Sequence, residues 1–485
     1  MLSPSIIVDS LTEWSPYASG PNVVAAADYL AGGDGQANNR RIINLCRDGS
    51  YLSIGYYVSL LTEARGKRAM PSVSTLIELT DPDHVPPSLS WHRSAASRDQ
   101  DLPDELLICF GRSQDDKFNK IANAIFGRYP APIIHARLKA RGSKLVIDTV
   151  RIGAIDQLND QGETFFAESL DLFSRRVWRN HSHRNTRFDL AILVDPNEEM
   201  PPSDKGAIRL FERAARSVGF SPEVITLEDS PRLLEFDALL IRCTTAINHI
   251  TYQLARRAER EGMAVIDDPE SILKCCNKVF LHDLLSSHHI GMPPSHLVTR
   301  DPQPNYDQLV AELGLPMVLK IPDGSFSRGV FKVEDSNQLI TRCQELLAQS
   351  AVIIAQAFVP TPFDWRIGVL EGRALYACRY HMARDHWQIV NHASTKSGRL
   401  GDHDCVPLSQ VPSTVARTAV KAARLIGDGL YGVDIKDVDG HALVIEINDN
   451  PSLESEVEDQ LLGEELYRQI VAHLMNKVQA RGRTQ

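Results

Sequence analysis

The stretch Tyr431–Leu453, YGVDIKDVDGHALVIEINDNPSL, decides how the rest of the chain is read. Two apolar runs, 432–438 and 442–448, flank Asp439-Gly440, a dipeptide that accepts the backbone of a tight hairpin turn. A loop of Asp439, Gly440 and His441 pairs Val438 with Ala442, and the same register sets Asp434 opposite Glu446. Glu446 and Asn448 are two residues apart on one strand, so their side chains share a face. Three such oxygens among Val, Ile and Leu would be poorly solvated, and the carboxylates repel unless a cation neutralises them. A hard divalent cation answers that need, Mg²⁺ above all with Mn²⁺ as a substitute. Taken alone, an exposed acidic hairpin face explains these residues equally well. Asp449-Asn450-Pro451-Ser452 then ends the strand in a turn.

At 485 residues the chain has room for about three domains. Its 52 basic and 62 acidic residues leave a formal net charge of -10, which argues against a general nucleic-acid binder. The eight cysteines, at 46, 109, 243, 275, 276, 343, 378 and 405, include no C-x-x-C pair, so neither a zinc knuckle nor a disulfide framework is expected. Reduced thiols and a cytoplasmic location fit best. The N-terminus lacks a basic, long-apolar leader pattern and no run approaches about 18 apolar residues, so no membrane association is expected.

The first third alternates strand and helix candidates: strands over 5–9, 41–46, 106–111 and 145–155, helices over 23–30, 51–66 and 115–126, and a short link at 68–72. This is an α/β or α+β module whose chemistry the residues do not reveal. A polar, Pro-rich connection spans 81–103, and a basic stretch over 173–187 reads as a linker or connecting helix. From Asp189 a second alternation begins, DLAILV, a helix over 204–218, ALLIRC at 238–243 and a helix over 252–261, which implies a mostly parallel sheet. No G-x-G-x-x-G follows its first strand, so a dinucleotide site is unsupported.

The next segments carry cations. Lys278 sits in the helix that follows Asp268-Pro269. Lys320 ends the strand LPMVLK, and Ile-Pro-Asp-Gly324-Ser325-Phe-Ser-Arg-Gly329 follows it, a loop whose backbone N–H groups, hydroxyls and arginine suit a polyphosphate. It is not a Walker loop, and an ordinary polar hairpin explains it as well. Gln356 lies in the strand VIIAQAFV, whose end could meet an adenine edge through main-chain groups, with Phe358 packing on the base. Asp364 and Arg366 alternate onto one face of a hairpin turning at 371–373, which returns with Arg379. Asn391, His392, Lys396 and Arg399 follow in a polar stretch, and an amphipathic helix over 414–426 precedes the hairpin of the opening.

In this order Lys278, Lys320 with its glycine loop, Gln356, Asp364-x-Arg366, Arg379, GVD at 432–434 and EINDNPSLE at 446–454 resemble the RimK-like ATP-grasp ligases, a group that includes enzymes similar to glutathione synthetase. The segment 51–73 resembles the accessory N-terminal domain fused to some of them. The resemblance implies three parts: an accessory α/β domain over 1–175, a pre-ATP-grasp parallel-sheet domain over 188–290, and over 291–485 an ATP-grasp fold of two α+β subdomains, a lid at about 295–355 and a C-terminal subdomain at about 356–485. It implies that Lys278, Lys320, Gly324, Ser325, Gly329, Gln356, the Ala357-Phe358 main chain, Asp364 and Asn391 contact ATP. Arg366 and Arg379 would stabilise the transferred phosphoryl group, and Asp434, Glu446 and Asn448 would hold Mg²⁺. The implied activity joins a small-molecule carboxylate to an amine through an acyl phosphate, on an amino acid or small peptide, in a protein that can form homo-oligomers. A nucleotide-binding regulatory or scaffold protein, and a ligase that modifies a protein tail, are the alternatives. Where RimK-like proteins carry Glu the chain has Ala357, and Phe326-Ser327-Arg328 replaces a small, Gly-containing insert, departures that bear on substrate rather than on ATP.

Overall fold

The computed structural model describes residues 5–11, 14, 23–32, 41–80, 90–92, 103, 105–141, 144–177, 188–300, 304–323, 329–383, 387–389 and 401–481. Five sheets organise them. The first is parallel, with Val23–Ala25, Ser5–Val8, Arg41–Asn44 and Arg68–Met70 side by side. Two expectations change here: Val23–Ala25 is a strand ahead of the helix Ala26–Leu30, and Arg68–Met70, expected as a link, is an edge strand. Short apolar runs do not discriminate strand from helix, and the sheet edge decides. The helix expected over 51–66 forms as Ile54–Ala64, started by Ser53, whose hydroxyl accepts from Tyr56 N. The second sheet is antiparallel and built on Ile133–Arg141 paired with Lys144–Ile152. The sequence reading missed the first of these strands and the helix Asp160–Val177.

The middle unit has the expected parallel sheet, in the order Phe220–Ile225, Phe188–Leu193, Ala238–Ile241, Ala264–Ile266. Its inner strands, Phe188–Leu193 and Ala238–Ile241, are apolar on both faces. Ala191, Leu193, Leu239 and Ile241 pack with the helix Ile250–Arg260. Leu190, Ile192 and Leu240 share a core with the helix Lys205–Val218 and the last helix, Glu464–Arg481. Phe211 meets Tyr467 edge-on at 4.8 Å, so the C-terminal helix returns to this middle layer.

The last two sheets are antiparallel. One runs Ser295–Thr299, Val352–Ala357, Met317–Lys320, Val330–Val333. Met317, Leu319, Ile353 and Ala355 bury one face against the helices Tyr306–Leu313 and Ser336–Gln349, which leaves Val318, Lys320 and Gln356 on the other. The other sheet runs His403–Cys405, Arg373–His381, Phe363–Leu370, Leu430–Val438, His441–Asn448. Trp365, Ile367, Val433, Ile435, Val444 and Ile447 cover the helix Ser413–Ile426 on one face. The charged residues between them project from the opposite face.

The opening hairpin is closed by a two-residue turn, with Val438 opposite His441 and positive φ at Asp439 and Gly440. This corrects the expected three-residue loop. An irregularity after Asp434 adds the missing residue, and Asp434 still lies opposite Glu446.

The expectation of reduced thiols throughout is also corrected. Cys378 and Cys405 are opposite one another on neighbouring strands and form a disulfide, while Cys46, Cys109, Cys243, Cys275, Cys276 and Cys343 are free. The two cysteines are 27 residues apart in the chain, and only strand register brings them together.

Candidate active site

The polar face of the Met317–Lys320 sheet meets that of the hairpin sheet, and a cavity of about 510 Å³ opens beside the junction. Position 432 must be glycine because a Cβ there would come within 3.0 Å of Arg366 and 2.7 Å of Pro451. That gap lets the Arg366 side chain cross to Asp434, which it grips with two N–H groups, one of them Nη2 to Oδ2 at 2.8 Å. Lys278 Nζ is 3.1 Å from Glu446 Oε1. The backbone of the same lysine donates to Pro322 O at 2.8 Å, which ties its helix to the loop after Lys320. Lys436, two positions beyond Asp434, donates to Asp364 Oδ1 at 2.6 Å and to Thr361 Oγ1 at 2.7 Å. Asn448 Nδ2 reaches Asp434 Oδ2 at 3.3 Å.

These groups are buried, and burial governs their charge. It pulls the Lys320 ammonium down to about 8, against the opposing attraction of Glu446. It pushes the Asp434 carboxyl up, with Arg366 acting against it and Glu446 adding to it. Burial also raises Glu446, but Lys278 and Lys320 overcome it and hold that carboxyl below its ordinary range. Each carboxylate thus leans on a cation of the chain.

The structure brings Lys278, Lys320, Asp364, Arg366, Asp434, Glu446 and Asn448 to one junction. Gln356 is on the same sheet face as Lys320, buried, and donates to Ser295 Oγ at 2.9 Å. The Ala357 N–H is committed to Pro294 O at 2.8 Å, so it does not offer an adenine donor. Phe358 packs beside Trp387 at 6.0 Å with Lys332 Nζ 4.6 Å over its ring. Gly329 has φ +73°, and a Cβ would strike Ile321. Gly324, Ser325 and Asn391, with His392, Lys396 and Arg399, lie outside the described residues.

Arg379 is not brought to the junction. It is opposite Trp365, on the far face of the sheet, where it pairs with Asp404 and stacks over Phe363 at 5.5 Å. Its neighbour Tyr380 faces the cavity instead, with its ring 5.1 Å from the Arg366 guanidinium and its hydroxyl on Glu458. Strand alternation decides between the two, and the register needed to apply it was not readable from the residues. The sequence reading also missed Lys436, although its spacing from Asp434 offered a signal. Glu454 and Glu458, which line the cavity with His403, were not singled out either, although Glu454 closes the motif at 446–454.

The donor set fits a hard cation. Two carboxylates lie opposite one another, the side-chain amide of Asn448 reaches one of them through Nδ2, and Arg366 and Lys278 supply positive charge beside them. Among the described residues no three His, Cys, Asp or Glu side chains are grouped so as to hold a metal ion, and the candidate set here is two carboxylates with an amide.

Family models match the chain in two places: the RimK-like ATPgrasp N-terminal domain over residues 26–169 and the RimK-like ATP-grasp domain over 275–474. The chain belongs to the RimK-like ATP-grasp proteins. It is a carbon–nitrogen-bond-forming ATP-grasp ligase, of a family that uses ATP and Mg²⁺. It is similar to a probable alpha-L-glutamate ligase of Teredinibacter turnerae, 26% identical over 47% of this chain and 72% of the relative, and to one of Thioalkalivibrio sulfidiphilus, 28% identical over 46% and 71%. Among solved structures, a RimK domain protein of Sphaerobacter thermophilus aligns with a TM-score of 0.44 and 15% identity, over 59% of this chain and 99% of that one. No helix of the described residues is long and apolar enough to cross a membrane.

Proposed function

We propose that this RimK-like ligase activates a small-molecule carboxylate with ATP and couples it to the amine of an amino acid, small peptide or diamine, in the cytoplasm. The observation that carries the reading is the buried junction at which Asp434, Glu446 and Asn448 face Lys278, Lys320 and Arg366. In this reading Lys278 and Lys320 hold the ATP phosphates, with Gln356, Gly329 and Asp364 around the nucleotide and the main chain at Phe358 beside adenine. Asp434, Glu446 and Asn448 hold Mg²⁺ or Mn²⁺, which when bound neutralises charge on the transferred phosphoryl group. Phosphoryl transfer needs positioning and positive charge rather than a side-chain nucleophile, and Arg366 supplies both. The carboxylate attacks the terminal phosphorus of ATP and ADP leaves. The amine then attacks the acyl phosphate carbon and releases phosphate. Gly324, Ser325 and Asn391 are proposed to complete the phosphate contacts.

The names of the relatives put glutamate first among the amines to be tried. The cavity is also lined by Glu454, Glu458 and Asp204, so lysine, ornithine and diamines belong beside it. The test is phosphate release across that panel, with hydroxylamine to trap the acyl phosphate as a hydroxamate. An amine-dependent release and a hydroxamate are expected. ATP binding with no release on any mixture would favour a nucleotide-binding scaffold instead.

A further inference from the structure

Arg242 is among the largest fully buried side chains of the protein and lies outside every site residue named above. It follows the apolar strand Ala238–Ile241, and its N–H to Leu193 O at 2.8 Å continues the parallel sheet, so its backbone is fixed. The guanidinium spreads four bonds: Nε to Ser203 Oγ at 3.0 Å, Nη1 to Asn450 Oδ1 at 2.6 Å, and Nη2 to Pro202 O and Pro451 O, both at 2.7 Å. Two of these acceptors belong to the middle unit. The other two belong to the turn that begins directly after Asn448. Asn450 answers with Nδ2 to Cys243 O at 2.7 Å, Ser203 Oγ donates to Leu453 O at 2.8 Å, and Thr245 Oγ1 donates to Asp449 Oδ2 at 2.7 Å. A planar fork with five donors can serve this arrangement, and a lysine's single nitrogen cannot.

A buried charge is retained only where its surroundings compensate it. Here burial pulls the Arg242 guanidinium down and the buried Asp267 acts against it, while the hydrogen-bond acceptors are spread over two separate parts of the fold. The strand end that carries Glu446 and Asn448 has no such clamp from its own sheet, because it is the outermost strand and pairs on one side only.

We propose that Arg242 is a positioning residue for the ligase reaction: through Asn450 and Pro451 it fixes the end of the metal-ligand strand to the middle sheet, and so sets where Glu446 and Asn448 hold the cation. This rests on the assignment of Asp434, Glu446 and Asn448 as the metal site. Arg242 touches no reacting atom. It acts through the turn that also floors the substrate cavity, which Pro202, Asn450 and Pro451 line.

The test is Arg242→Lys in the full chain, with Asn450→Ala as a milder variant that leaves the guanidinium its other three acceptors. Mn²⁺ binding is read by electron paramagnetic resonance with ADP present, and turnover is read against Mg²⁺ concentration at saturating ATP. The expected result is Mn²⁺ affinity about tenfold weaker in Arg242→Lys and severalfold weaker in Asn450→Ala, matched by a raised half-saturating Mg²⁺, while ADP affinity without metal stays within about twofold. Unchanged Mn²⁺ affinity in folded Arg242→Lys would overturn the proposal, as would unchanged affinity in Asn450→Ala if Arg242→Lys does not fold. Asp434→Asn separates the two claims. If it too binds Mn²⁺ normally, the metal assignment has failed rather than the role of Arg242.

Discussion

The accessory unit and the hairpin sheet both bury polar side chains, and they do so in opposite ways. Around the helix Ile54–Ala64 of the accessory unit the buried groups are neutral and answer one another: Asn44 donates to Gly55 O at 2.7 Å and to Ser59 Oγ at 2.9 Å, Ser59 donates to Pro71 O at 2.8 Å, and Tyr29 bonds Thr62. In the hairpin sheet they are charged and answered in pairs, Arg366 with Asp434, Lys278 with Glu446, Lys436 with Asp364. A closed neutral network specifies a fold and needs nothing more. Charges drawn out of water carry a desolvation cost that mutual pairing offsets incompletely, and such a cluster is where a charged ligand gains most. The same word, buried, therefore marks architecture in one region and chemistry in the other.

Substitutions can break this contrast. Glu446→Gln should lower substrate-dependent phosphate release on the order of 10³-fold, because the charge proposed to neutralise the cation is lost, with the melting midpoint little changed. A smaller effect follows from Lys320. Its ordinary value is 10.5 and burial brings it to about 8, so below pH 8 the ligand-free protein meets ATP already charged. Above that pH each binding event must also take up a proton, and ATP affinity should fall by up to about tenfold per pH unit. Lys320→Arg, which keeps its charge, should flatten the profile measured by calorimetry.

The neutral network should behave in the reverse sense. Asn44→Ala should cost about 1–3 kcal/mol in denaturant unfolding, since it leaves buried acceptors unmet, and turnover per folded molecule should stay at the wild-type value. The smallest effect is expected at Arg379. It lies on the far face of the sheet, so Arg379→Ala should change turnover by a factor of about two or less, the equivalent of about 0.5 kcal/mol. A large loss there would mean that the far face takes part in the chemistry.

Much of the candidate site's geometry was legible because it is written in local spacing. Glu446 and Asn448 share a face by alternation, and Asp434 reaches them through one hairpin. Even so, the register was right for a reason the residues did not disclose: a shorter turn and an irregularity after Asp434 gave the same pairing as the longer loop. Arg379 and Tyr380 exchange places for a related reason, because facing depends on pairing with Phe363–Leu370 and not on residue type. The Cys378–Cys405 bond and the Arg242 clamp span neighbouring strands and separate layers, and no local pattern announces contacts of that kind. In the accessory unit, the strand Ile133–Arg141 escaped notice because its last seven residues, HARLKAR, read as a polar surface once separated from their hairpin partner.

The central claim is that the oxygens of Asp434, Glu446 and Asn448 together hold a divalent cation. It is met most directly by titrating Mn²⁺ into the wild-type protein, Asp434→Asn and Glu446→Gln with ADP present, reading free Mn²⁺ by its paramagnetic resonance signal. The account predicts saturable binding in the wild type and affinity at least about tenfold weaker in both variants. Equal binding by all three proteins would contradict it.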